Sequence, residues 1–169
     1  MTLKHPAITL LLCCSACTPV RPRVSLAPGV SLKGYEVFVV MPVRDATGAR
    51  FNLDVSDSLQ QHIAKRLRSY NLIAVTDSSA DTVASAVVVV STLVDFRGIP
   101  MWLQVPARGT TACELRSELW DNRSGQRLGE IVAAGLAEEG TPLFVLFQCA
   151  HDVADAIERQ LRTNPPAAP

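Results

Sequence analysis

Side chains that could support catalysis or bind a metal are few and poorly clustered in this sequence. Of the three histidines, His62 stands in a polar stretch and His151 follows Cys149 by two positions. A structural zinc site needs four ligands, and these residues provide no second ligand cluster. We therefore interpret both histidines as structural and expect neither a metal nor a cofactor.

Acidic pairs are the remaining candidates for acid–base chemistry. Glu138 and Glu139 are adjacent, and Asp152 and Asp155 are about one helical turn apart. Catalytic carboxylates face each other across a cleft, which neighbours in one segment do not do by themselves. The sequence also lacks a nucleophile elbow, a phosphate-binding glycine loop and a dinucleotide fingerprint. We expect that the protein is not an enzyme.

The composition indicates one globular domain. The chain has 169 residues, of which 48% are hydrophobic and 19% charged, with 16 Lys and Arg against 16 Asp and Glu. A chain of this length buries roughly 70% of its unfolded surface, enough for a hydrophobic core. Because the net charge is zero, the chain has no field that would attract phosphates. We therefore exclude nucleic acid as a partner.

The amino terminus has the layout of a signal peptide. Lys4 precedes an apolar run over 7–14, which is far shorter than the roughly 20 residues of a membrane-spanning helix. Small residues stand directly before Cys17 and resemble the bacterial lipobox. This resemblance implies that residues 1–16 are removed and that Cys17 becomes lipidated. An ordinary secretory signal, cut nearby, is the alternative.

Lipidation would anchor the protein, because several acyl chains hold a small domain on a bilayer almost permanently. Thr18 follows the cysteine where Asp would signal inner-membrane retention. This resembles the sorting pattern of outer-membrane lipoproteins and implies a periplasmic face. Residues 17–34 contain three prolines and predict a lipidated tether. Residues 163–169 predict a disordered tail.

Between the tether and the tail we expect one α/β domain, over 35–162. The runs YEVFVVMPV at 35–43 and ASAVVVVSTLVDF at 84–96 predict two buried strands. Asp54 is placed to cap a helix, whose apolar stripe ends near Tyr70. A weaker pattern at 73–76 favours a short strand.

The carboxyl-terminal half predicts a hairpin and a second helix. Segments 113–120 and 126–136 flank a DNRSG turn, and apolar residues recur at helical spacing over 146–161. The fold class is therefore α+β. We expect a two-layer α/β sandwich, with a mixed sheet of about four to five strands and two helices packed on one face.

Two cysteines of the mature domain lie on apolar faces, Cys113 and Cys149. An oxidising compartment permits a disulfide between them. Two separate buried thiols are the alternative, because free cysteine is often a small core residue.

Exposed aromatic and methionine side chains are candidates for binding a partner. Met101, Trp102 and Leu103 stand between prolines, and Trp120 falls on the hydrated face of the hairpin. Such residues are enriched at interface centres. Two alternatives remain: Trp102 covers the sheet as a lid, and Trp120 pairs across strands.

The order of segments resembles that of a group of small envelope lipoproteins of unknown function. The segments are YEVFVVMPV, an amphipathic helix, SADTVASAVVVV, ELRSELWDNRSGQRLGEI and VADAIERQL. These are related to the amino-terminal domain of TolB and to CsgG. The resemblance implies an outer-membrane-anchored periplasmic lipoprotein that binds protein or serves as an accessory subunit of an envelope assembly or secretion complex. The alternative is a periplasmic ligand-binding or hydrolytic domain with an unrecognised site. A further alternative is a mainly structural subunit whose exposed strand edge pairs with a second copy, which would make a homo-oligomer.

Overall fold

A computed structural model describes residues 21–49, 54–76, 85–97, 111–137 and 142–163. Within these residues the chain forms seven strands and two helices. The strands are β1 Arg23–Leu26, β2 Val37–Val40, β3 Arg44–Asp45, β4 Ile73–Val75, β5 Ala86–Arg97, β6 Thr111–Asp121 and β7 Arg127–Ala137; the helices are α1 Val55–Ser69 and α2 Pro142–Arg162.

All seven strands belong to one mixed sheet. Its order is β1-β7-β6-β5-β2-β4, and β3 pairs with β5 beyond the end of β2. Strands β2, β4 and β5 are mutually parallel where they pair, whereas β5, β6, β7 and β1 are antiparallel. The α+β class is confirmed. The expected number of four to five strands is wrong, because β1 and the two-residue β3 add to the sheet.

Strand β1 lies inside the segment 17–34 that was expected to be a tether. It pairs with β7 at the edge of the sheet. The strand approaches so closely that a Cβ at Gly129 would lie 2.6 Å from the carbonyl oxygen of Ser25. Leu32, in the same segment, is fully buried. Part of the expected tether therefore belongs to the folded domain.

Helix α1 begins and ends where the sequence predicts. The Asp54 side chain accepts a hydrogen bond from the amide of Asp57 at 3.1 Å, which caps the first turn. Asn71 follows the helix in a left-handed conformation, with φ 64°, as at many helix ends. The apolar stripe of the helix, at Leu59, Ile63 and Leu67, is buried.

Both helices pack on the same face of the sheet and against each other. Helix α2 lies close to β7, since a Cβ at Gly135 would stand 2.9 Å from both Cys149 Sγ and Val145 Cγ1. In the described part of the chain, no helix is long and apolar enough to cross a membrane.

A buried glutamine joins α1 to the sheet. Gln60 is 4% exposed, and its Nε2 donates to the carbonyl oxygens of Val40 at 2.7 Å and Thr76 at 3.0 Å. Those carbonyls lie at the ends of two neighbouring parallel strands. The amide therefore provides a hydrogen-bond donor to both carbonyls.

The β4 edge of the sheet carries a side-chain cap. Arg68 donates from Nε at 3.0 Å and from Nη2 at 2.7 Å to the carbonyl oxygen of Ala74, in the middle of β4. The strand is three residues long. Short edge strands and charged side chains at an edge both disfavour pairing with another strand.

Candidate functional site

The face of the sheet opposite the helices carries a row of side chains that crosses five strands. Successive strand pairs align Val75 with Val39, Val39 with Val88, Val88 with Trp120, and Trp120 with Arg127. No described helix covers this face. Trp120 is partly exposed, at the boundary between an apolar half and a charged half. We call this surface the helix-free face.

The apolar half of the helix-free face is formed by β4, β2 and the start of β5. Val39 and Ala86 are buried there, with Val37, Met41 and Val88 packed around them. Ile73, at the outer margin, is 56% exposed. Because Val39 and Ala86 are already buried, the apolar surface that this half offers to another macromolecule comes from Ile73 and from the partly buried side chains around the two.

The charged half of the helix-free face is an ion-pair network on β6 and β7. Glu118 and Glu130 stand directly opposite each other. Arg127 Nη2 bridges them, at 3.0 Å from Glu118 and 3.1 Å from Glu130. Arg116 contacts the other oxygen of Glu130 at 3.1 Å and Glu114 at 3.4 Å. Opposed like charges destabilise a strand pair, so the arginines make this arrangement tolerable.

A polar cleft of about 450 Å³ lies at the hairpin end of the sheet. Tyr35 and Asp121 meet in it, with the phenol donating to Asp121 Oδ2 at 2.6 Å. The amide and hydroxyl of Ser124 donate to the other carboxylate oxygen at 2.6 and 2.7 Å. These hydrogen bonds, the one from Tyr35 first, lower the pKa of Asp121 to about 2. Such a carboxylate is a weak general base at neutral pH.

Lys33 and Arg123 also line this cleft, with hydroxyls from Ser31 and Ser85. Two cations outnumber the single carboxylate of Asp121. The cleft is therefore suited to an anionic group rather than to a cation.

The two histidines of the folded domain, His62 and His151, lie together at the interface of α1 and α2. Their ring nitrogens Nδ1 and Nε2 are 3.2 Å apart, and Phe147 stacks on His62 at 3.8 Å between ring centroids. Burial is the main cause that lowers the pKa of both imidazoles. The second cause is the charge of His151 for His62, and the charge of Arg66 for His151. Among the described residues, no group of three or more potential ligands could hold a metal ion.

A second polar contact lies beside the histidines. Arg66 donates two hydrogen bonds to Asp155, at 2.7 and 3.1 Å, and the hydroxyl of Tyr70 donates to the same carboxylate at 2.7 Å. The sequence does not predict these helix–helix contacts, because the partners are more than eighty residues apart.

The structure joins Cys113 of β6 to Cys149 of α2 as a disulfide. The absence of a side chain at Gly135 brings the helix close enough for this contact. Met101, Trp102, Leu103 and Cys17 lie outside the described residues. Of the four residues expected to bind a partner, Trp120 is thus the one whose position is described.

No protein-family model matches the sequence, and no curated protein matches it. Solved structures match it in fold. Two PelC dodecamer structures from Paraburkholderia phytofirmans each superpose with a TM-score of 0.60, at 14% and 15% identity. The matches cover 80% and 84% of this chain and 98% and 99% of the PelC chains.

Two further solved structures resemble the chain. A hypothetical protein from Chlamydia trachomatis has a TM-score of 0.57 at 11% identity, over 77% of this chain and 99% of the other. A lipoprotein from Neisseria meningitidis has a TM-score of 0.48 at 11% identity, over 73% and 98%. At these identities the PelC and Chlamydia matches show a similar fold and nothing further. They do not show the resemblance to the TolB and CsgG domains, which stays a prediction.

Proposed function

We propose that this chain is a lipoprotein of the bacterial envelope that binds other proteins through its helix-free face. Cys17 is the lipidated residue, and the outer membrane, on its periplasmic side, is the location that its Thr18 neighbour favours. The observation that carries the binding role is the row from Val75 to Arg127, in which Trp120 stands between the apolar and the charged side chains.

The chemistry of this row supports a protein partner. Protein interfaces combine an apolar centre with a polar rim, and Trp and Arg are enriched among the residues that contribute most to affinity. On the helix-free face Trp120 stands between Val88 and Arg127, and ion pairs flank it on one side. A partner that presents apolar and charged groups in the same order would match both halves.

A second copy of the chain is one such partner. The PelC structures of the same fold are dodecamers. We propose by analogy that this chain assembles with itself, as an accessory subunit of an envelope assembly or secretion complex. Head-to-tail assembly requires two different surfaces on each subunit, and the helix-free face would supply one of them.

In-cell photo-crosslinking tests the binding role. A benzophenone amino acid is placed at Trp120 in the full-length lipoprotein, and at exposed Gln61 on α1 as the matched control. We expect covalent adducts from position 120 and none from position 61. A third probe at Arg116, two rows further along the same face, provides the same test if the change at Trp120 impairs folding. Equal labelling from all three positions would contradict the proposal.

The anchor is tested separately, by labelling cells with a palmitate analogue. Wild-type protein should incorporate the label, and Cys17→Ala should not. Unlabelled wild-type protein would remove the envelope anchor from the proposal.

The polar cleft favours a second candidate function, binding of a small anion. Lys33 and Arg123 provide the positive charge, which exceeds the single negative charge of Asp121 that opposes an anion. Calorimetric titration with inorganic phosphate and with acetate tests this function. We expect heat of binding that Arg123→Gln reduces. No heat with either anion would exclude this function.

A further inference from the structure

Two large apolar side chains remain exposed at one end of the sheet. Leu136 is 60% exposed near the end of β7, and Phe144 is 62% exposed in the first turn of α2. Their neighbours Gly135 and Val145 are in contact, so both exposed side chains flank a single junction between strand and helix. Leu136 points to the helix-free face and Phe144 lies on the helix side. Together they straddle this end of the domain.

The direction of β1 shows from which side the amino-terminal segment joins the domain. Arg23 is opposite Val132, and Leu26 is opposite Gly129, antiparallel to β7. The chain therefore runs along β7 away from Leu136. The residues that precede β1 join it from the Leu136 end.

The distance to the anchor is short. Six residue steps separate Cys17 from Arg23, and an extended chain spans at most about 20 Å over that length. Leu136 lies four residues beyond Val132, about 13 Å along the strand and in the direction of the tether. Gln126, at the hairpin, lies about 20 Å away in the opposite direction. To place the anchor at the hairpin end, the segment from Cys17 to Arg23 would have to turn back directly before β1 and be fully extended.

We propose that the end of the domain formed by Leu136 and Phe144 rests in the headgroup layer of the membrane that holds the anchor. This inference rests on the proposed lipidation of Cys17. Aromatic and aliphatic side chains at this depth contact the acyl boundary while the backbone stays hydrated. The polar cleft then opens at the far end, toward the aqueous space.

The contact is apolar rather than electrostatic. The sequence between the two side chains contains Glu138 and Glu139, and acidic residues gain nothing at an anionic surface. The contact should therefore form on zwitterionic phosphatidylcholine and withstand added salt.

Depth-dependent fluorescence quenching tests this orientation. The full-length lipidated protein carries one environment-sensitive fluorophore, attached at Phe144→Cys or, as the control, at Gln126→Cys. The disulfide between Cys113 and Cys149 and the lipid on Cys17 leave the new thiol as the labelling site. Both substituted positions are exposed, so the fold should tolerate them.

After reconstitution into phosphatidylcholine vesicles with nitroxide-labelled lipid, the probe at 144 should lose most of its emission and shift to the blue. The probe at 126 should do neither, with or without added salt. No quenching at 144, or equal quenching at both positions, overturns the orientation. Absence of acyl label on Cys17 would instead refute the anchor, so the two failures are distinguishable.

Discussion

His62 and His151 contact each other across the two helices, with Nδ1 of the first 3.2 Å from Nε2 of the second. One ring nitrogen donates the hydrogen bond and the other accepts it. The accepting nitrogen carries no proton, so at least one of the two imidazoles is neutral. Lys65 and Arg66 oppose protonation of His151, whereas Asp152 and Asp155 favour it. Burial outweighs the rest, and the pKa of both rings is lowered from 6.5.

This contact predicts a pH-dependent stability. Because the pKa of each histidine is lower in the folded state, the unfolded chain binds more protons at acidic pH. The free energy of unfolding should therefore be at its full value above pH 6.5 and should fall as the pH decreases below it. Urea denaturation of the mature domain across this range measures the slope. The double variant His62→Gln, His151→Gln should flatten it, and an unchanged slope would contradict the assignment.

The disulfide between Cys113 and Cys149 predicts a thiol count and a stability change. Mature lipidated protein, denatured without reductant, should show no free thiol, and two after reduction. The bridge spans 36 positions, for which the loss of chain entropy in the unfolded state stabilises by about 4 kcal/mol. The variant Cys113→Ala, Cys149→Ala should lose up to that amount in chemical denaturation. Two thiols before reduction would mean separate buried cysteines.

Gln60 predicts a cost of removing an interior hydrogen-bond donor. Gln60→Leu preserves the size of the side chain but leaves the carbonyls of Val40 and Thr76 without their partner. Each buried unsatisfied group costs about 1–3 kcal/mol. Gln61→Leu, one position along and exposed, is the matched control and should change stability by less than about 0.5 kcal/mol. Similar losses in both variants would disprove the role of the amide.

Tyr35 predicts how Asp121 titrates. The pKa of Asp121 is lowered from 3.8 to about 2, so the carboxylate stabilises the fold above pH 3.8 and loses this effect as the pH falls toward 2. Tyr35→Phe removes the largest cause and should raise the pKa toward 3.8, measured by the carboxyl carbon shift in NMR. Tyr70→Phe removes a donor to Asp155 instead and should leave the Asp121 titration unchanged.

The sequence predicts the parts of this fold that local patterns determine. Asp54 marks the start of α1, because an N-cap is a short-range signal. Alternation along β6 places Trp120 on the hydrated face and Leu119 in the core, as the structure has them. Strand β1 escapes prediction, since Pro22 and Pro28 enclose a run of only four strand residues whose pairing partner is a hundred positions away.

The candidate site depends on features that local patterns do not contain. The pairing of Trp120 with Arg127 depends on an irregularity in register after Leu119. A shift of one residue would move Arg127 to the other face and remove the bridge between Glu118 and Glu130. The histidine contact depends in the same way on how α2 returns across α1. Sequence periodicity predicts faces, and only the register and the helix packing determine which side chains meet.

The guanidinium of Arg68 donates two hydrogen bonds to the carbonyl oxygen of Ala74 on β4. This makes the two edges of the sheet different. A strand that pairs with β4 must first displace two hydrogen bonds. Among the described residues, no side chain caps the opposite edge strand, β1, in this way. Two copies that paired edge to edge would do so through β1. Both exposed edges of the pair would then be β4 strands capped by Arg68. Pairing of this kind would stop at two copies and would not extend into a fibril.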